Sequence, residues 1–160
     1  MTTTVSNSRL EIPRPTRAHV LAVMAVQLLG HGDEADLSTI FAADVINRPG
    51  DYAPAACQGT GPAAVLATSR WLRTAFDELA WKIRAIASQG TLVVVRTTMT
   101  GQHTGPLILH DHGVPTRIVP ASGLRFDVTR TYRFHIADDH IIERATDFGE
   151  LGTLGKDHRP

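Results

Sequence analysis

The chain has a single cysteine, Cys57. That excludes an internal disulfide and any metal centre built from several cysteines. Cys57 has no evident base partner in the sequence and reads as an unactivated thiol. Neither charge is in surplus: 16 basic and 16 acidic side chains cancel over 160 residues. A nucleic-acid binder needs a basic excess on one face and a membrane patch needs a basic cluster, so neither partner is expected. No apolar run approaches the ~20 residues of a membrane helix. Internal repeats and low-complexity segments are missing. So are a glycine-rich phosphate loop, a paired-histidine metal helix and a serine-nucleophile elbow. Met1 to Arg14 has no apolar core, so it is not read as a secretory signal. What remains is an ordinary composition, 42% hydrophobic and 20% charged, of a reduced, cytoplasmic protein. At this length a core and a pocket can coexist, because ~70% of the unfolded surface is buried on folding.

Residues 1–15 are polar, carry Pro13 and Pro15, and read as a flexible arm. A single domain is expected over 16–155, with 156–160 as a tail. Thr16 is a plausible cap for a helix over Arg17 to Leu29, which Gly30 and Gly32 end. Asp33 can cap a second helix running to Ala43. Asn47 to Asp51 reads as a turn or loop. Pro62 suits the first turn of a third helix, whose stripe of Val65, Leu66, Trp71, Leu72, Ala75, Phe76 and Leu79 predicts an end near Leu79.

After Leu79 the period changes from helical to alternating. Trp81 to Ile86 reads as a half-buried strand, and Leu92 to Thr100 as a central one rich in β-branched residues. His103 to His110 continues the sheet after a bend or bulge at Gly101, and Asp111 to Ser122 reads as a loop. Leu124 to Ile136 alternates for more than ten residues, Asp138-Asp139 is a tight turn, and His140 to Asp147 returns. Helices first and strands after predict an α+β domain with helices on one face of a bent sheet.

On the long strand Phe126, Val128, Arg130, Tyr132 and Phe134 share one face, mostly apolar and expected to point inward. A two-residue turn at Asp138-Asp139 sets Ala137 against His140. Regular pairing from there places Phe134 opposite Glu143, Tyr132 opposite Ala145, and Arg130 opposite Asp147. An acid and a guanidinium would then touch on the inner face. Such a pair is either a working site or a paired charge within a core.

Several stretches together resemble the SnoaL-like polyketide cyclase (ester cyclase) branch of the nuclear-transport-factor-2-like (NTF2-like) superfamily. They are Ala43 to Asn47, Trp71 to Trp81, Val93 to Leu107, and Ser122 to Thr131, followed by the Asp138-Asp139 hairpin and TDFGELGTLG. They cover roughly positions 40–155. The chain departs from the family pattern in the last strand, which reads Glu143-Arg144-Ala145 where relatives usually have Glu-His-Trp. The resemblance implies a cone in which N-terminal helices pack on a curved antiparallel sheet of four to six strands around a pocket. It also implies a homodimer, and cyclase or isomerase chemistry on a polyketide-like or other apolar carbonyl compound with neither metal nor organic cofactor.

The resemblance puts the acid/base carboxylate at Asp147. A neighbouring Arg130 would keep it ionised as a base, or would itself stabilise a developing enolate. His103, in Gly101-Gln102-His103-Thr104-Gly105, is a further catalytic candidate or a structural histidine beside a bend. Asn47 is a candidate for binding a substrate oxygen, or forms a turn before Pro49. Tyr132 is a hydroxyl donor or packing. Trp71, Phe126 and Phe134 are candidate pocket lining, and Glu143 is a second pocket acid or a rim charge. His110 and His112 could share a face, yet no third ligand has matching spacing, so no metal site is expected. Two other readings stay open: a non-catalytic, small-molecule-binding dimer, and an epoxide-opening hydrolase.

Overall fold

Thr16 caps the first helix as its sequence predicts, its Oγ1 accepting from the His19 backbone N–H at 3.2 Å. The helix, α1, spans Arg17–Leu28 and buries Leu21, Ala22, Ala25 and Val26. The computed structural model describes residues 15–146. The arm up to Arg14, Asp147, and the tail Phe148 to Pro160 lie outside the described residues.

Asp33 and Asp36 form a reciprocal cap on α2, Glu34–Ile40. That helix stops three residues before the expected Ala43. Phe41–Arg48 is instead a strand, β1, with Phe41, Val45 and Asn47 buried. A 3-10 turn follows at Ala55–Gln58. Helix α3, Pro62–Ala75, has its proline in the first turn. It ends before the predicted Leu79, because Phe76 leaves the helix and pairs with His103 as the first residue of β2, Phe76–Gln89. Ser69 Oγ and the Arg73 guanidinium donate to the Leu28, Leu29 and Gly32 carbonyls, tying the end of α1 to α3.

The remaining strands are β3, Leu92–His103; β4, Leu107–Asp111; β5, Val114–Val119; β6, Arg125–Ala137; and β7, His140–Thr146. Five of the seven make one sheet in the order β1-β7-β6-β3-β2. The three helices pack on it, as the α+β reading expected. The sheet is mixed rather than antiparallel, because β1 runs parallel to β7. Its core joins Leu21, Val26, Leu37, Leu72, Val95 and Phe134.

Two further expectations change. β3 runs unbroken through Gly101 and pairs it with Phe126, while the bulge lies across from it on β2, where Glu78 and Leu79 oppose that one glycine. The glycine is needed because a Cβ there would lie 2.9 Å from Phe126 Cζ. The expected loop from Asp111 to Ser122 contains β5, which pairs with β4 in a separate two-stranded sheet. His112 and Gly113 both have positive φ and make its turn. β5 is almost wholly exposed and carries Pro115, so no alternating apolar pattern marks it.

Candidate active site

The hairpin turn at Asp138-Asp139 forms with both residues at positive φ, and Ala137 opposes His140 as the sequence requires. The register then slips. Ile136 faces Ile141, but His135 faces Glu143, which leaves Ile142 as the extra residue of a bulge. A one-residue slip exchanges the two faces of the strand. Phe134 therefore meets Arg144 and Tyr132 meets Thr146, rather than Glu143 and Ala145; the expected pairing of Arg130 with Asp147 rested on the unslipped register and loses that support. Arg144, not Glu143, is the inward residue.

Arg144 was not among the candidates, and it is the centre of the buried polar network. It has no solvent exposure, and Arg130 has only 1%. Its neighbour on β1 is Asn47. Arg144 Nη1 donates to Asn47 Oδ1 at 3.0 Å. The Asn47 amide donates in turn to the Cys57 carbonyl at 2.8 Å and to Thr68 Oγ1 at 2.9 Å. Asn47 thus joins β1, β7, α3 and the 3-10 turn. On its other side Arg144 lies over the Tyr132 ring, Cζ 5.6 Å from the centroid. The Tyr132 hydroxyl accepts from Trp81 Nε1 at 2.7 Å, also buried.

Burial pushes the Arg144 guanidinium down to about 10; Tyr132 opposes the shift and the nearby Arg130 adds to it. It is still a cation at neutral pH. Among the described residues no carboxylate is buried, and none pairs with Arg144. Burial also raises the Cys57 thiol, against smaller opposite effects of Thr68 and Arg144. No three His, Cys, Asp or Glu side chains among the described residues converge as a metal site.

The sequence candidates separate into groups. Arg130, Tyr132 and Phe134 lie buried on the inner face of β6, with the Tyr132 and Phe134 rings 6.4 Å apart. Asn47 joins them through Arg144. His103 is buried too, but its ring packs on Phe76, and Phe126 meets the same Phe76 edge-on. It lies six residues along β3 from Thr97, the partner of Arg130, roughly 20 Å of strand. The sheet does not bring it beside Arg130. Glu143 points outward and bonds Arg48 Nε at 2.8 Å, its side chain 31% exposed. Trp71 donates to the Ile108 carbonyl at 2.9 Å. It lines a cleft of about 500 Å³ with Leu66, Cys57, Ile108 and His110. This cleft lies beside α3, the 3-10 turn and β4, and Trp71 alone of the expected pocket residues lines it.

The model of the family described as SnoaL-like polyketide cyclase matches residues 19–154. None of the curated proteins matches the chain. Among solved structures, a protein assigned to the SnoaL-like polyketide cyclases from Jannaschia sp. CCS1 superposes with a TM-score of 0.69 at 20% identity, covering 92% of this chain and 96% of that one. IdmH from Streptomyces antibioticus, assigned as a polyketide cyclase, gives a TM-score of 0.64 at 18% identity over 88% of this chain and 98% of its own. TsrD from Streptomyces laurentii gives 0.62 at 23% over 88% and 93%. At these identities the likeness is one of fold.

Proposed function

The chain belongs to the SnoaL-like polyketide cyclase family, and from that premise we propose that it is a cofactor-independent cyclase or isomerase acting on an apolar, polyketide-like carbonyl compound. The observation that carries this reading is the buried polar line Asn47–Arg144–Tyr132–Trp81, with Arg130 beside it on β6, inside a mostly apolar interior. Polar groups are costly to bury where packing alone is needed. Such a set suits a substrate whose oxygens become negative during reaction.

The proposed step is an intramolecular aldol-type closure. Asp147, the base that the family resemblance suggests and that the strand register no longer argues for, takes a proton from the carbon beside a carbonyl. The resulting enolate carbon attacks a second carbonyl of the same molecule. One carbon–carbon bond forms, the new alkoxide takes a proton from Tyr132, and the proton held by Asp147 returns to Tyr132 through water, so both residues end as they began and no oxidant or reductant is consumed. Tyr132 accepts from Trp81 and keeps its own proton to give to a substrate oxygen. Arg130 faces charge that develops on the enolate oxygen. His103 is assigned no proton in this step. A homodimer belongs to the same proposal, with light scattering of the eluted protein as its test.

Incubation with linear aryl poly-β-keto compounds, supplied both as esters and with a free carboxylate on the aryl ring, followed by chromatography and NMR, tests the reaction. A cyclised isomer of unchanged mass, formed faster than in buffer, is the expected result. Tight binding with every compound recovered unchanged would replace the enzyme with a non-catalytic binding protein.

A further inference from the structure

Arg144 makes one hydrogen bond to a neutral amide and one contact with an aromatic face. Its Nε is buried with no hydrogen-bond partner. No ion pair with a described carboxylate compensates it. A fully buried cation of this kind costs several kcal/mol unless an anion meets it. A Met of comparable reach would fill much of the space without that cost. The residue is also held in place: Asn47 fixes one edge of the guanidinium, and Asn47 is itself fixed by Cys57 and Thr68. A positioned planar cation with donors left over is a receptor for a carboxylate or an enolate oxygen.

We propose that Arg144 is an anion-recognising residue of the interior, and that the compound bound there carries an acidic group, a free carboxylate or an enol ionised at neutral pH, rather than a fully esterified one. The proposal rests on the reading that the interior receives a polyketide-like molecule, and it narrows the chemistry of that molecule. Cys57 lies between the Arg144 network and the cleft beside α3. It lines the cleft beside α3, its carbonyl accepts from Asn47, and the Arg144 charge acts on its thiol.

The test uses the full chain and two stable planar probes, anthraquinone-2-carboxylate and its methyl ester, titrated calorimetrically. A charge-assisted hydrogen bond in a buried site is worth roughly 1.5–3 kcal/mol, so the acid should bind at least about 10-fold more tightly than the ester. Arg144→Gln should bring the acid-to-ester ratio to within about 2-fold of unity, while Arg144→Lys should keep part of the preference. A buried cation is screened little, so the preference should persist at about 0.5 M salt. Equal binding of acid and ester, or a preference that survives in Arg144→Gln or vanishes with salt, would overturn the role of Arg144 and leave the binding site standing. Failure of both probes to bind would overturn the interior site together with it. If Arg144→Gln does not fold, judged by circular dichroism, the wild-type ratio and the lysine variant decide the matter alone.

Discussion

Asn47 and Arg144 are direct neighbours in the parallel pair of β1 and β7, and the asparagine oxygen holds the guanidinium at 3.0 Å with both side chains out of solvent. The two elements lie almost 100 residues apart in sequence, 97 between these two side chains. The contact therefore closes the sheet edge and positions a charge in one step. Asn47 also satisfies groups on the 3-10 turn and α3.

Asn47→Ala removes the hydrogen-bond partner of a buried cation and of a buried carbonyl. Urea unfolding should show a loss of about 3 kcal/mol. A loss below about 0.5 kcal/mol would mean that the network contributes nothing to the fold.

Tyr132→Phe removes the acceptor of Trp81 Nε1, which is buried. The orphaned donor should cost about 1–2 kcal/mol in the same measurement. If the hydroxyl also gives its proton to substrate, turnover should fall at least about 10-fold beyond what partial unfolding explains. Unchanged turnover on a folded variant would remove Tyr132 from the chemistry.

Cys57 has a thiol pushed up by burial. The folded protein keeps it neutral at a pH where the unfolded chain has released the proton. Its stability contribution is complete below the ordinary thiol value of about 8.5. It falls as pH rises toward the raised folded value, by up to about 1.4 kcal/mol per pH unit. The stability of wild type relative to Cys57→Ala should therefore decline from about pH 8 to 10. A flat difference over that range would contradict the burial of the thiol.

Gly101→Ala places a methyl 2.9 Å from Phe126 Cζ and 3.1 Å from the Asp77 carbonyl. Overpacking of this kind costs roughly 1–3 kcal/mol, readable as a lower melting temperature. A neutral substitution would show that the β2–β3–β6 contact has slack.

Much of this was legible in the residues. Thr16, Asp33 and Pro62 announce helix starts through local chemistry that tertiary contacts do not alter. Asp138-Asp139 announces its turn because short polar side chains tolerate positive φ. The inward face of β6 follows from alternation, and Arg130, Tyr132 and Phe134 lie on it. The failures share a different cause. Nothing local distinguishes Phe41 from one more helical residue; its partner Ile141 lies 100 positions away. The bulge at Ile142 is decided by how β7 meets β1 and β6 together, so pattern counting carried Glu143 inward in place of Arg144. β5 faces solvent and lacks the apolar repeat that marks a strand.

Proton removal from carbon by Asp147 carries the proposed reaction, and exchange of the acidic C–H of an aryl β-keto ester in D2O, followed by NMR, measures it without knowledge of the natural substrate. Wild type should accelerate the exchange over buffer, and Asp147→Asn should lose at least about 100-fold while keeping its melting temperature. Exchange at the full wild-type rate in Asp147→Asn would contradict the claim.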